Sequence, residues 1–95
     1  MEVLLSDKAR RDFESILRYT VQQWGRRQME AYSNTLDAAI HQISRNPEIG
    51  ILRTDLKQPY RTYPTGVHVI IYRQSSRQIR ILRILHQRMD PAKHY

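Results

Sequence analysis

Arginine, histidine and tyrosine crowd the second half of this 95-residue chain: Arg61, Tyr63, His68, Arg80, Arg83, His86, Arg88, His94 and Tyr95. Converging in one cleft, such groups could activate a ribose 2′-hydroxyl, steady a phosphorane and protonate a leaving oxygen, which is enough for RNA cleavage without a metal. The same residue types on half-exposed strands are also ordinary surface groups, and His86 equally suits a packed, hydrogen-bonded role. Other chemistries have less material. His41, His68, His86 and His94 form no H-x-x-x-H pair, and there is no cysteine, so no metal site and no thiol nucleophile is expected. The three glycines at 25, 50 and 66 are too scattered to cradle a phosphate, and Asp90 is the sole acid after residue 56, so paired-carboxylate chemistry is out of reach there. No cofactor is expected.

The charge is as segregated as the chemistry. Residues 1–56 carry eight basic and eight acidic side chains; residues 57–95 carry eight basic ones and a single acid, so the whole formal charge of +7 falls in the final 39 residues. Segregation of that kind marks a surface that meets something acidic. Thirteen of the 16 basic residues are arginine, whose fork suits carboxylate and phosphate alike. An acidic peptide and a nucleic acid both fit, with the peptide favoured, because a small sheet can accept an added strand at its edge while its arginines pair with carboxylates. No apolar run approaches a membrane span and the N-terminus has no signal-peptide core, so a cytoplasmic protein that does not enter membranes is expected.

Positioning these residues falls to a small set of elements. Glu2 to Leu5 reads as a short strand. Ser6 is an N-cap, and Ala9, Phe13, Ile16, Leu17, Thr20, Val21 and Trp24 then recur at helical steps until Gly25. A second stripe, Met29 to Ile43, ends at Asn46-Pro47, and so short a link makes the two helices an antiparallel hairpin. On this spacing Phe13, Trp24 and Tyr32 are core or hairpin packing. Residues 46–59 form a connector pinned by Ile49, Ile51, Leu52 and Leu56. Three strands follow: Tyr60 to Tyr63, Val67 to Arg73 and Gln78 to His86, with turns at Pro64-Thr65-Gly66 and Ser75-Ser76. Strict alternation in the last strand sets Ile79, Ile81 and Leu85 on one face and Arg80, Leu82, Ile84 and His86 on the other, so a central strand covered on both faces is expected. The expected fold is one α+β domain over 1–95, two layers in the order β-α-α-β-β-β, with the hairpin on a small, mainly antiparallel sheet.

Three stretches then carry a family resemblance: ILRYTVQQWGRRQMEAY (16–32), NPEIG (46–50) with YRTYPTGVHVIIYR (60–73), and IRILRILHQRMDP (79–91), of which Ile84 to Asp90 is the most specific. Together they resemble the ParE toxins of the ParE/RelE superfamily, the toxin half of bacterial type II toxin–antitoxin pairs. The resemblance implies the hairpin-on-sheet fold shared with the RelE ribonucleases. It also implies a cytoplasmic toxin that inhibits DNA gyrase by trapping the gyrase–DNA cleavage complex. A ParD-type antitoxin would neutralise it in a hetero-oligomer, a heterotetramer or larger. Operator DNA would be met only through that antitoxin, and the complex would repress its own operon.

The ribonuclease pattern of RelE transfers poorly. His68 stands where those enzymes carry an arginine, Arg88 matches their basic residue after the last strand, and only His94 or Tyr95 could replace their tyrosine, with Pro91 altering the path. Lys57 and Arg61 match their cleft loosely. A ribosome-dependent mRNA endonuclease using Arg61, His68, Arg88, His94 and Tyr95 is therefore the second reading, and a relic acting only as antitoxin partner and corepressor the third. Arg61, Arg73, Arg80 and Arg83 are the residues expected to meet the antitoxin. His86, Arg88, Lys93, His94 and Tyr95 are those expected to meet the target.

Overall fold

Ser6 is where strand becomes helix, and its hydroxyl serves both. The oxygen accepts from the Ala9 amide at 3.0 Å, capping the first helix, and the hydroxyl donates to the Leu82 carbonyl of the last strand at 2.8 Å. The computed structural model describes residues 1–94; Tyr95 lies outside the described residues. The elements are β1 (Glu2–Leu5), α1 (Asp7–Trp24), α2 (Arg26–Arg45), β2 (Ile51–Arg53), β3 (Tyr60–Thr65), β4 (His68–Gln74), β5 (Gln78–His86) and α3 (Pro91–His94). The strands make one sheet in the order β1-β5-β4-β3-β2, with β1 parallel to β5 and every other neighbour antiparallel.

The hairpin arises as its stripes demand. Gly25 alone separates the helices. At φ +89° and ψ 173° it occupies backbone space that side chains avoid, and its amide closes α1 on the Val21 carbonyl at 3.0 Å. Ala9, Leu36, Ala39 and Ile43 from the helices meet Ile70, Tyr72, Ile79, Ile81 and Ile84 from the sheet in the main core. The other sheet face buries Tyr60, Ile71 and Leu85 under two irregular segments that supply Leu56 and Met89.

Four details differ from the pattern in the sequence. The 46–59 connector contains β2, a three-residue edge strand too short to show a period. Of its four expected anchors Ile49 and Leu56 pack inward, whereas Ile51 and Leu52 are 63% and 53% exposed. β3 runs through Pro64 to Thr65, which pairs with His68, leaving Gly66-Val67 as a two-residue loop. Gly66 has φ +58°, and a Cβ there would lie 2.6 Å from the Tyr32 ring. In β5 a bulge opposite Ile71/Tyr72 shifts the register at Leu82. Ile84, not Leu85, therefore joins Ile79 and Ile81 beneath the helices, while Leu82 and Leu85 share the second face. The expected central strand, covered on both faces, is otherwise present. Finally, Val21 and Trp24 are 37% and 72% exposed. A groove rather than a strand lies beside the last turns of α1, and Trp24 stands at its border.

The NPEIG stretch has a structural reason. The buried Tyr72 hydroxyl donates to the Pro47 carbonyl at 2.7 Å and accepts from the Gly50 amide at 2.9 Å, fixing the chain between α2 and β2. Burial pushes that phenol up from its ordinary pKa, against the lowering effect of the Gly50 amide.

Candidate functional site

The groove has a volume of about 730 Å³ and lies between the second half of α1, the end of β5, the β3–β4 turn and the start of α2. β1 stops opposite Ile81, so β5 continues to His86 without a strand on that side. Asp12 of α1 fills the first part of this open edge. Its carboxylate accepts the Ile84 amide at 2.9 Å and takes a forked pair of bonds from Arg83 at 2.8 and 3.0 Å. Both side chains are about four-fifths buried or more, with exposures of 20% and 16%. Hydrogen bonding from Asp12 raises the Arg83 pKa further, so the cation is permanent. The remaining Arg83 nitrogen donates to the His94 carbonyl, which ties α3 back to β5.

Past Asp12 the floor is made of rings. His68 and His86 are direct cross-strand partners, their rings edge-on at 5.7 Å. The Tyr32 hydroxyl shares a hydrogen bond of 2.5 Å with His68 Nδ1, accepts from the Val67 amide at 3.2 Å and donates toward the Thr65 carbonyl at 3.5 Å. Burial lowers the His68 pKa, the neighbouring His86 lowers it further, and Asp12 opposes both. Burial likewise raises the Tyr32 phenol, against the Val67 amide. The Arg88 amide donates to His86 Nδ1 at 3.2 Å, so the turn after β5 is held to the same floor.

The structure brings some expected residues together and parts others. His68, His86 and the Arg88 backbone meet. Arg61 does not join them: it lies opposite Tyr72, four residues along β3 from the Thr65–His68 pair, about 13 Å at the usual rise. Its guanidinium is spent on the Gly50 and Glu48 carbonyls at 2.9 and 3.4 Å. Arg73 and Arg80 face each other directly across β4 and β5, and Arg73 donates to the Pro59 carbonyl at 2.9 Å. Arg83 is engaged by Asp12. Lys93 and His94 sit on α3, whose start is fixed by Asp90 accepting from the Ala92 amide at 3.0 Å. Among the described residues no group of three or more histidines, cysteines or acids could hold a metal. Among the described residues no helix is long and apolar enough to cross a membrane.

Reading the sequence overlooked Asp12, Tyr19 and Tyr32 as parts of this site. Asp12 meets Arg83 across 71 residues, a pairing no local pattern encodes. Tyr32 sits in a helical stripe where spacing reads as core, and only its hydroxyl betrays the second role.

A helical hairpin on one face of a five-stranded sheet, with a basic tail beside an apolar groove, defines a two-layer α+β protein. The profile of the ParE toxin of the type II toxin–antitoxin system parDE matches residues 3–91. Toxin ParE1 of Caulobacter vibrioides is 37% identical over 90 residues, covering 95% of this chain and 93% of that protein. Toxin ParE1 of Mycobacterium tuberculosis is 38% identical over 88 residues, covering 92% and 90%. A solved chain from the chromosomal ParDE system of P. aeruginosa superposes with a TM-score of 0.77 at 19% identity, over 90% of this chain and 95% of that one, and so shares the fold. The chain belongs to the ParE toxin family of type II toxin–antitoxin systems.

Proposed function

We propose that this protein is a toxin that inhibits DNA gyrase by trapping its cleavage complex with DNA, without catalysing a reaction of its own. A ParD-type antitoxin holds it inactive in the cytoplasm, and the two together repress their operon. The observation that carries the reading is the family match across residues 3–91. The geometry supports its non-enzymatic part. Of the residues a metal-independent ribonuclease would need, Arg61 is a strand's length from His68, and the Nδ1 of His68 is already occupied by Tyr32. The exposed tail bearing Arg88, Lys93 and His94 is the part assigned to the target, with His86 at its root. Arg73 and Arg80 are assigned to the antitoxin. Like charges placed directly opposite across a strand pair repel, and an antitoxin carboxylate relieves that repulsion. Arg61, Arg73 and Arg83 are already bonded within the fold, so their geometry is fixed before any contact forms.

The deciding experiment adds purified protein to gyrase and supercoiled plasmid. Accumulation of linear DNA or loss of supercoiling is expected. Unimpaired gyrase at saturating toxin, together with blocked translation in a cell-free extract, would transfer the protein to the ribonuclease reading.

A further inference from the structure

We propose that two copies of this chain associate through the outer face of the helical hairpin, around a second groove between the first half of α1 and the second half of α2. The partner is a second copy, so the inference stands apart from the choice of target and of antitoxin surface.

Three observations carry it. First, this groove has a volume of about 520 Å³ and an apolar floor of Leu5, Phe13 and Ile40, half-buried side chains packed against the main core. It shares no lining residue with the groove beside β5. Second, the charges at its rim are sorted into a dipole. The helices run antiparallel from Gly25, so Arg10 falls level with His41 and Glu14 level with Asp37. One end of the floor is thus bordered by two nitrogen donors and the other by two carboxylates, one helical turn or about 6 Å away. All four side chains are exposed, and none takes part in an ion pair formed among the described residues. A phosphate backbone or a uniformly acidic segment would meet Glu14 and Asp37, and a basic segment would meet Arg10. The occupant that matches is itself dipolar, and a second copy is so by construction. A two-fold axis lying in the interface and crossing the helices sets each helix antiparallel to its counterpart. Arg10 then opposes Glu14 of the second copy, His41 opposes its Asp37, and the apolar floors meet between them.

Third, the hairpin is where two such chains can meet. Both helices lie within residues 1–56, whose charges balance, whereas the formal charge of +7 resides in residues 57–95 and makes surfaces built from them repel their own kind. Helices of 18 and 20 residues are about 27 and 30 Å long and about 10 Å wide, so the two faces together offer about 1,100 Å². That is the low end for a specific interface, and the dimer is accordingly a reversible one with a dissociation constant on the order of micromolar.

Sedimentation equilibrium of the full chain, over concentrations on the order of 1–300 µM, should show the mass rising from one chain to two. Arg10→Glu and Glu14→Arg, both exposed changes on α1, should each weaken self-association tenfold or more with unaltered circular dichroism. Mixed in equal amounts, the two variants should dimerise again, because the α1 rim of one is wholly acidic and that of the other wholly basic. Should either variant lose its dichroism, His41→Glu and Asp37→Arg on α2 give the same test. A chain that stays monomeric over the whole range overturns the proposal. So does a dimer that neither variant weakens, or a pair of variants that fails to recover on mixing. A Glu14→Arg chain that loses affinity for the purified antitoxin, while the unaltered chain remains monomeric, overturns it too and gives the face to the antitoxin.

Discussion

His68 shows how one side chain ties the site to the stability of the fold. Its Nδ1 is bonded to the Tyr32 hydroxyl, inside a floor that lowers its pKa. In the unfolded chain the ring titrates near about 6.5. Neutral His68 therefore contributes stability in full above that pH, and the contribution is lost as pH falls through the lowered folded value, because the unfolded chain binds the proton more readily. The urea midpoint should drop between pH 7 and pH 5, and His68→Gln should flatten that slope while lowering stability at neutral pH by about 1–2 kcal/mol for the broken bond. An equally steep slope in the variant would place the titration elsewhere. At alkaline pH Tyr32 and Tyr72 act in the opposite sense. Their raised phenols stabilise the fold up to about pH 10, the unfolded value, and stability declines as pH rises beyond it.

At the scale of elements, Gly25 and Gly66 make a controlled contrast. Both have positive φ, but a Cβ on Gly25 meets nothing within 4 Å, whereas one on Gly66 strikes the Tyr32 ring. Gly25→Ala should thus cost only backbone strain, about 1–3 kcal/mol, and leave the groove intact. Gly66→Ala should cost more and also displace Tyr32 from His68, visible as a changed His68 titration by NMR. The elements themselves were largely legible in the chain. The Ser6 cap, the Gly25 break and the stop at Asn46-Pro47 are local signals, and the helices end where those residues stand. What escaped depends on partners distant in sequence. β2 exists because Ile51 to Arg53 can pair with Thr62 to Tyr60, not because three residues carry a period. The bulge at Leu82 swaps Ile84 and Leu85 between faces, and alternation alone cannot place it. The exposure of Trp24 was hidden for a related reason: a helical stripe records that a face is apolar, not whether the chain itself covers it.

For the whole molecule, the function proposed above assigns toxicity to the tail and antitoxin recognition to the body. α3 buries no residue of its own and is held by the Arg83–His94 bond and the Asp90 cap. Truncation after Asp90 should therefore leave a folded protein, with unchanged far-ultraviolet dichroism and antitoxin affinity within threefold of the full chain, that no longer arrests growth when expressed alone. Growth arrest by the truncated chain would return the toxic surface to the body of the domain. Arg83 keeps its place in such a chain, because Asp12 and not the tail fixes it.

The parallel pairing of β1 with β5 has a consequence for how the protein comes into being. Its register joins Glu2 to Gln78 and Leu5 to Ile81, and the main core draws on both β4 and β5. On the ribosome the hairpin emerges first, with its apolar stripes facing water and no sheet to receive them. Closure across so long a stretch of chain is the slow, late event of folding. If the chain acts as proposed, it can do so only once its end has returned to its beginning. An antitoxin waiting nearby has to recognise a finished object, not a growing one.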